Sequence, residues 1–319
     1  MGRTFAAWPT AQGGSRPAIE YASEALQMTR RFEDVLTKEQ KGSPYEFKQM
    51  LTTEGWRARR RSRKRFRLLK AVDPRLIRIL QPGERVHFLT HGSPLSTTEG
   101  FFTDWAAYFL NRRALVFTNV RLLLIQINVR KHPLDLVSQI AYSAIAGVEA
   151  TPKGYCRLAL RDGRQLDFTY MPRADRKFLH TLLTDLVKLP CPAGAPEATG
   201  AENLCPQCFS VVKDFPRKCP ECGVALKSSL VAGILSFLFP GWGNWYLGFK
   251  GFAVVELLGA AYLWLTLVLW PLFHLLLGRG VPHTRRYWIL IALGLVVLHG
   301  LDAAMTRHYA RKGLHARSD

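Results

Sequence analysis

The cysteines carry the most specific chemistry in this sequence. Cys205, Cys208, Cys219 and Cys222 form the spacing C-x2-C-x10-C-x2-C. Two residues between paired cysteines allow a tight turn that aims both thiolates at one ion. Two such turns supply the tetrahedral four-sulfur shell that Zn²⁺ takes in structural sites. Gly223, directly after Cys222, frees the backbone to turn under the sulfurs. With four protein ligands no position remains for a reactive water, so the expected Zn²⁺ is structural. It supplies folding energy that so short a segment cannot draw from a core. Iron is the alternative occupant. Cys156 falls in a strand pattern and reads as a small buried residue, while Cys191 sits in a linker. Four grouped cysteines and two single ones suit a reducing compartment better than a disulfide framework.

Only six residues, Val224 to Ser229, separate the second cysteine knuckle from the first apolar stretch, so the knuckles are expected close to a bilayer. Three hydrophobic stretches follow, at 230–247, 252–277 and 287–305. As a helix, residues 252–277 would extend about 39 Å, more than the roughly 30 Å hydrocarbon core. Pro271 is expected to kink it. The first stretch is broken at Pro240, Gly241 and Gly243, with Trp242, Trp245 and Tyr246 beside the break. Such a break belongs near the interface or buried in protein. Three spans would export five basic residues and a re-entrant first stretch with two spans would export three, which favours the second weakly. Glu256, Asp302, His274 and His299 are the titratable groups inside these stretches. The acids read either as an ion or proton relay or as partners of headgroups, Lys250, Arg307 or a helix end.

The sequence of 319 residues carries 44 Lys plus Arg against 24 Asp plus Glu, a net charge of +20. Residues 1–228 hold 36 and 21 of these, so most of the excess precedes the apolar stretches. The positive-inside rule then keeps this part cytoplasmic. The opening residues show neither the apolar run of a cleavable signal nor a myristoylation motif. Residues 1–18 are expected to be disordered, 19–72 helical and basic, with helical patterns at 18–40 and 44–51. The charge peaks at Arg57, Arg59, Arg60, Arg61, Arg63, Lys64, Arg65 and Arg67. A solvated linker, a segment lying on anionic headgroups, and a nucleic-acid contact all fit this run. Trp56, Phe66, Leu68 and Leu69 flank it and suit an interfacial helix better than a plain linker.

Between 73 and 190 the period changes to that of strands. Runs at 114–118 and 121–127 flank a turn at Asn119-Val120. Another run covers 145–150, and 155–161 and 165–170 flank Asp162-Gly163, a hairpin signal. After Pro172 the apolar spacing becomes helical, with Phe178, Leu179, Leu182, Leu183 and Leu186 on one face. Short strands closed by one amphipathic helix predict a β-barrel or sandwich. The segment from Ser93 to Arg113 reads as an inserted aromatic loop or short helix, its Phe101, Phe102, Trp105, Tyr108 and Phe109 either packed on the barrel or dipping into a membrane or partner. Residues 191–203 read as linker, 204–227 as the metal segment, 228–305 as the membrane domain and 306–319 as a basic tail.

The stretch from Gln81-Pro82-Gly83-Glu84-Arg85-Val86 through LVFTNVRLLLI and LRDGRQLDF to the final helix resembles a bacterial pleckstrin-homology (PH-like, GRAM-like) domain. That implies a lipid- or protein-binding module without catalytic residues. The cysteine segment resembles a zinc ribbon. Pro240, Gly241, Gly243, Tyr246, Gly248 and Gly251 match the P-G-x-G-x-x-Y-x-G signature of small bacterial multi-pass membrane domains, similar to the two-pass transmembrane domain family. Together these imply a multidomain chain: a PH-like β-barrel or sandwich with a C-terminal helix, a four-cysteine zinc ribbon and an α-helical membrane domain. No Walker loop, dinucleotide fingerprint, G-x-S-x-G or H-E-x-x-H is present, so no enzyme is expected. The expected function is a non-enzymatic adaptor or scaffold in the bacterial cytoplasmic membrane, its N-terminal domains cytoplasmic. Its expected partners are anionic lipids and a protein or second copy. A transport or channel subunit and a membrane-tethered nucleic-acid binder are the alternatives.

Overall fold

A computed structural model describes residues 43–51, 56–95, 108–150, 155–188, 198–277 and 285–317. The expected helix at 18–40, Phe101, Phe102, Trp105 and Cys191 lie outside the described residues. A short helix, α1 (Phe47–Met50), precedes the long α2 (Trp56–Ile79). Strands β1 (Val86–Leu95), β2 (Arg113–Thr118), β3 (Arg121–Ile127) and β4 (Pro133–Ala141) follow, then β5 (Ile145–Ala150), β6 (Cys156–Leu160) and β7 (Gln165–Thr169). Helix α3 (Arg173–Lys188) closes this region, and β8 (Ala201–Leu204) and β9 (Val211–Val212) come after it. The strands run antiparallel in the order β5-β6-β7-β1-β2-β3-β4-β8-β9.

Strands β2 and β3 are buried along their whole length. Their near-continuous apolar runs follow from cover on both faces. Ala114, Val116, Leu123 and Ile125 face one cluster with Phe66, Leu69, Val72 and Leu76 of α2. Leu115, Phe117, Leu122 and Leu124 face the other, with Phe168 of β7 and Leu179 and Leu183 of α3. Apolar residues of α2 recur at three- and four-residue spacing, the pattern of a helix with one buried face. The helix runs through Pro74 to Ile79, past the expected boundary at 72. Its far end is fixed by Glu84, whose buried carboxylate accepts from Arg121 Nη2 at 2.9 Å and Thr118 Oγ1 at 2.8 Å. Arg121 Nη2 also donates to the Ile79 carbonyl at 3.0 Å.

The expected strands at 114–118, 121–127, 145–150, 155–161 and 165–170 and the helix after Pro172 are found within a residue or two. Gly163 turns the Asp162 hairpin at φ +84°. β1 and β4 were not expected as strands. Ser93 and Leu95, read as part of an aromatic insertion, belong to β1. The linker reading of 191–203 fails at its end, because Ala201–Leu204 forms β8 and pairs with β4 from Ile140 to Val137. An open edge on β4 would leave a row of unmatched amide and carbonyl groups, and β8 covers it.

After the cysteine segment come α4 (Ser229–Leu238), α5 (Trp242–Leu247), α6 (Lys250–Trp264), a π-helical turn (Leu265–Leu269), α7 (Trp270–Leu276) and α8 (Arg285–Ala310). Two helical stretches are long and apolar enough to cross a membrane, Lys250–Leu276 and Arg286–Ala310. The π-helical turn ends just before Trp270 and Pro271, and proline has no amide hydrogen to continue an α-helical ladder. Helix α4 has ten residues, about 15 Å of length, too short to span. It packs on α8 and α5 through small residues. A Cβ on Gly243 would lie 2.1 Å from the Ala232 carbonyl, 2.5 Å from Ser236 Oγ and 2.8 Å from Thr306 Cγ2. Gly241 has φ +92°, and a Cβ there would meet the Ala253 carbonyl at 2.8 Å. Gly251 has nothing within 4 Å of such an atom.

The expected basic tail is not loose. Lys227 N donates to the His315 carbonyl and Arg317 N to the Ala225 carbonyl, both at 2.9 Å. Gly313 lies where a Cβ would sit 1.6 Å from Leu136 Cδ2 of β4, and Arg113 Nη2 donates to the Lys312 carbonyl at 3.3 Å. The His315 ring is buried edge-on to Phe249, 5.5 Å away. Burial, then Lys227 and Arg113, lower its pKa from 6.5 to about 3.

Gly243→Ala should lower the thermal midpoint by several degrees, since the added carbon overlaps backbone, whereas Gly251→Ala should leave it unchanged or raise it. His315 stays neutral when folded and takes a proton near pH 6.5 when unfolded. Its contribution is therefore present above pH 6.5 and is lost as pH falls toward 3. Melting across that range should show a shallower acid loss for His315→Leu than for the parent chain.

Candidate metal centre and basic cleft

The cysteine segment is two copies of one turn. In the first, Phe209 N donates to the Cys205 carbonyl at 3.0 Å and Cys205 N to the Ser210 carbonyl at 2.9 Å. In the second, Gly223 N donates to the Cys219 carbonyl at 3.0 Å and Cys219 N to the Val224 carbonyl at 2.9 Å. Each turn places the residue after its second cysteine at positive φ, +73° for Gly223 and +59° for Phe209. The glycine role was legible in the sequence. Phe209 was not, because a bulky residue rarely adopts that conformation. Its ring packs against the α2 cluster and lies 5.2 Å from the Arg78 guanidinium, contacts that offset the strain.

The four sulfurs lie within 4.8 Å of one another, close enough to bind one metal ion. Cys205 Sγ is 3.7 Å from Cys222 Sγ, and Cys208 Sγ is 3.7 Å from Cys219 Sγ. Ligands about 2.3 Å from a tetrahedral centre stand roughly 3.8 Å apart, so the spacing fits. Burial raises the Cys205 thiol to about 12. Burial also raises Cys219, but the Cys222 and Glu221 amides outweigh it and bring that thiol down to about 6. Cys205, Cys219, Leu226 and Leu314 share one small apolar cluster. Single bridges join Lys218 to Ala225 and Leu226 to Ala316. The metal centre is therefore tied to β4 through β8, and to the C-terminal tail through Leu226.

The basic run lies on α2, opposite its buried face. Arg60, Arg61, Arg63, Lys64 and Arg67 are exposed, while the side chains of Arg57 and Arg59 lie outside the described residues. Arg65 departs from the expectation of a lipid contact. Its Nη2 donates to Asp175 of α3 at 2.8 Å, and its guanidinium stacks 4.3 Å from the Phe88 ring. Phe66, Leu68 and Leu69 are buried against the sheet, so they do not form the apolar face of an interfacial helix.

The exposed cations instead form one wall of a cleft of about 860 Å³. Arg61, Lys64 and Arg67 face Arg112, which precedes β2, and Arg130 and Lys131 in the β3–β4 turn. Asp175, the carboxylate among the lining residues, is already held by Arg65 and by Thr90 Oγ1 at 2.5 Å. None of the six facing cations pairs with a carboxylate among the described residues. Arg112 is 9% exposed and its buried Nε has no acceptor among the described residues. Burial, followed by Arg112, Lys64 and Arg67, lowers the Lys131 pKa. Burial, then Arg112, Lys131 and Lys64, lowers His91 to about 3. Each cation is raised in energy by the others, which an anion would relieve.

The far wall was missed from sequence because Arg112, Arg130 and Lys131 lie far from the α2 run along the chain. The cleft adjoins the long apolar helices. Tyr108 packs edge-on to Tyr170 of the cleft at 5.2 Å, and Phe109 lies 6.2 Å from Phe252 of α6. Leu110 and Leu134 pack with Phe252, Tyr309 and Ala310. Among the residues of the glycine-rich motif, Tyr246 accepts from Ser228 N at 3.2 Å and so joins the start of α4 to α5. Gly248 caps α5 at φ +98°, and Pro240 is buried.

Glu256 and Asp302 pair with neither Lys250 nor Arg307 among the described residues. They face one another, and Asn244 Nδ2 donates to Glu256 at 2.7 Å. No protein-family model matches this chain, and no curated protein matches it.

The purified chain should carry one metal ion by elemental analysis. Cys219→Ser with Cys222→Ser should lose it and open residues 223–228 to protease, because the second turn holds Leu226 against Ala316.

Proposed function

We propose that this chain is a non-enzymatic adaptor of the bacterial cytoplasmic membrane that holds anionic phospholipid headgroups in the basic cleft. One observation carries the reading: six cations without a carboxylate partner among the described residues line a cleft whose rim packs on the ends of the membrane helices. Both helical stretches have an end at that rim, the first at Phe252 and the second at Ala310. That arrangement suits two spans, with α4 and α5 re-entrant and the sheet, metal centre and tail on one side. The positive-inside rule makes that side cytoplasmic. Headgroup phosphates would then lie at the level of Arg112 and Lys131, and charge-assisted bonds to phosphate are the strong ones.

Seven strands with a closing helix, β1–β7 and α3, support a PH-like assignment for residues 73–190. The α2 helix adds a basic wall to it. The two equivalent cysteine turns support a zinc ribbon, with Zn²⁺ as the metal because a closed four-sulfur shell is the one zinc occupies in structural sites. The ribbon joins β4 to α4 and fixes the height of the cleft above the bilayer. The glycine-rich signature supports a membrane domain similar to the two-pass family. A protein partner or second copy would complete the adaptor role.

The full-length chain, purified from native membranes, should carry more anionic phospholipid than the membrane average, measured by mass spectrometry of bound lipid. At about 1 kcal/mol per interfacial charge, Lys64→Ala with Lys131→Ala should weaken that retention about thirtyfold, and high salt should reduce it further. Unchanged lipid retention in this variant removes the headgroup reading. Co-purification of RNA, lost in the same variant, selects the membrane-tethered nucleic-acid binder. Metal analysis showing iron in place of zinc removes the zinc assignment alone.

A further inference from the structure

A second polar site lies inside the apolar helices. Glu256 is six residues from the start of α6, about 9 Å along its axis. Asp302 lies eight residues before the end of α8, about 12 Å in. Both therefore sit at a similar depth on the side of the sheet. Their carboxyl groups lie side by side, close enough for each to act on the other. Asn244 Nδ2 donates to Glu256 Oε2 at 2.7 Å, and Gly241 N donates to Asp302 Oδ2 at 3.4 Å. Ser236 Oγ of α4 lies 2.9 Å from Thr306 Oγ1. Asn244 is fully buried, and its Oδ1 has no partner among the described residues although its Nδ2 is bound to Glu256. An oxygen left so beside two carboxyl groups calls for an electropositive neighbour. A cavity of about 330 Å³ reaches the pair, lined by Glu256, Asp302, His299, Trp264 and otherwise mostly by apolar side chains.

Two carboxylates in contact in a hydrocarbon setting repel one another, and a proton or a cation must lie between them. We propose that Glu256, Asp302 and Asn244 form a binding site for one sodium ion, taken up in exchange for the proton that the acid pair shares. Sodium enters, the shared proton leaves to water, and the site carries a net charge of −1 before and after. The buried charge is unchanged, so exchange adds no further cost of desolvation. Two carboxyl groups and an amide oxygen are hard oxygen donors, suited to a hard cation and poor for a soft one.

Of the other groups facing the pair, His299 of α8 has both ring nitrogens engaged: Nδ1 is 2.8 Å from the Phe237 carbonyl and Nε2 accepts from Trp264 Nε1 at 3.4 Å. Helices α4 and α5 and the turn between them present Ser236, Asn244 and the Gly241 amide, none of which titrates. Because the ligands come from α5, α6 and α8, occupancy ties the broken first stretch to both long helices. This site is independent of the basic cleft and of the headgroup reading.

The test uses the full-length chain in micelles at constant ionic strength, with sodium chloride exchanged for choline chloride. In weakly buffered solution with an indicator dye, sodium should release about one proton per ion bound. Sodium should also raise the thermal midpoint and change the emission of Trp264. The sodium concentration at half effect should rise about tenfold for each unit of acidification while the pair shares its proton. Glu256→Gln keeps a hydrogen-bonding side chain at the site and should abolish both the proton release and the sodium dependence, and Asp302→Asn should do the same. If the parent chain releases no proton and melts identically in sodium and choline, the pair is a structural hydrogen bond and the proposal is overturned. Sodium dependence that persists in both variants overturns it equally.

Discussion

The edge of β4 is the constraint on which the rest of the molecule depends. A strand inside a nine-strand sheet must find partners on both sides, and β4 has β3 on one side and β8 on the other. β8 leads directly into Cys205, so the same hydrogen bonds that close the sheet hold the first cysteine turn. The second turn is tied to the first through the sulfurs, and Leu226 beyond it pairs with the returning tail at Ala316. Gly313 of that tail lies against Leu136 of β4. The chain thus forms a closed circuit: sheet, cysteine cluster, apolar helices, tail and sheet again. Its backbone links use groups that would otherwise be unmatched in buried surroundings.

That circuit explains how the cleft can hold so much like charge. Six cations facing one another across a cleft would move apart if either wall were free. One wall is α2, fixed along its length by the core beneath β1–β4 and at its end by the Arg121–Glu84 bridge. The other is the chain around Arg112 and the β3–β4 turn, held by Leu110 and Leu134 in the cluster with Phe252 and Tyr309. Packing on both sides therefore maintains an arrangement that electrostatics alone opposes. Arg65 shows the difference between the two kinds of arginine on this helix. Paired with Asp175 and stacked on Phe88, it braces α2 against α3 and leaves its neighbours to face solvent.

Local signals are legible in this sequence, and the edges between them are not. The β2–β3 and β6–β7 hairpins show because strand periodicity and turn residues act over a few positions. The cysteine cluster shows because metal geometry constrains spacing within one short segment. β1 and β4 are hidden for a physical reason. β1 contains Gly92 and Pro94, and β4 opens with Pro133 and carries Asp135, Ser138 and Gln139, mostly poor strand formers by composition. They are strands because long-range partners on both sides make them so. The second wall of the cleft is hidden likewise. Arg112 and Lys131 are remote in sequence from Lys64 and Arg67, and the folded sheet alone brings them opposite.

The glycines of the membrane signature do different work, and the difference ties the broken helix to the acid pair. Gly243 admits α5 against α4 and α8 at a separation no side chain would allow. Gly241 takes a left-handed backbone and so points its amide at Asp302. Three residues on, the same turn delivers Asn244 to Glu256. An unbroken helix from Ser229 to Leu247 could not do both, because its amides would be spent on its own carbonyls. The break after Leu238 is therefore a means of presenting backbone and side-chain polar groups to two carboxyl groups below the surface of an apolar bundle. Short local irregularity is tolerated there because α6 and α8 enclose it, and because the bond from Ser228 N to Tyr246 Oη ties the start of α4 to the end of α5.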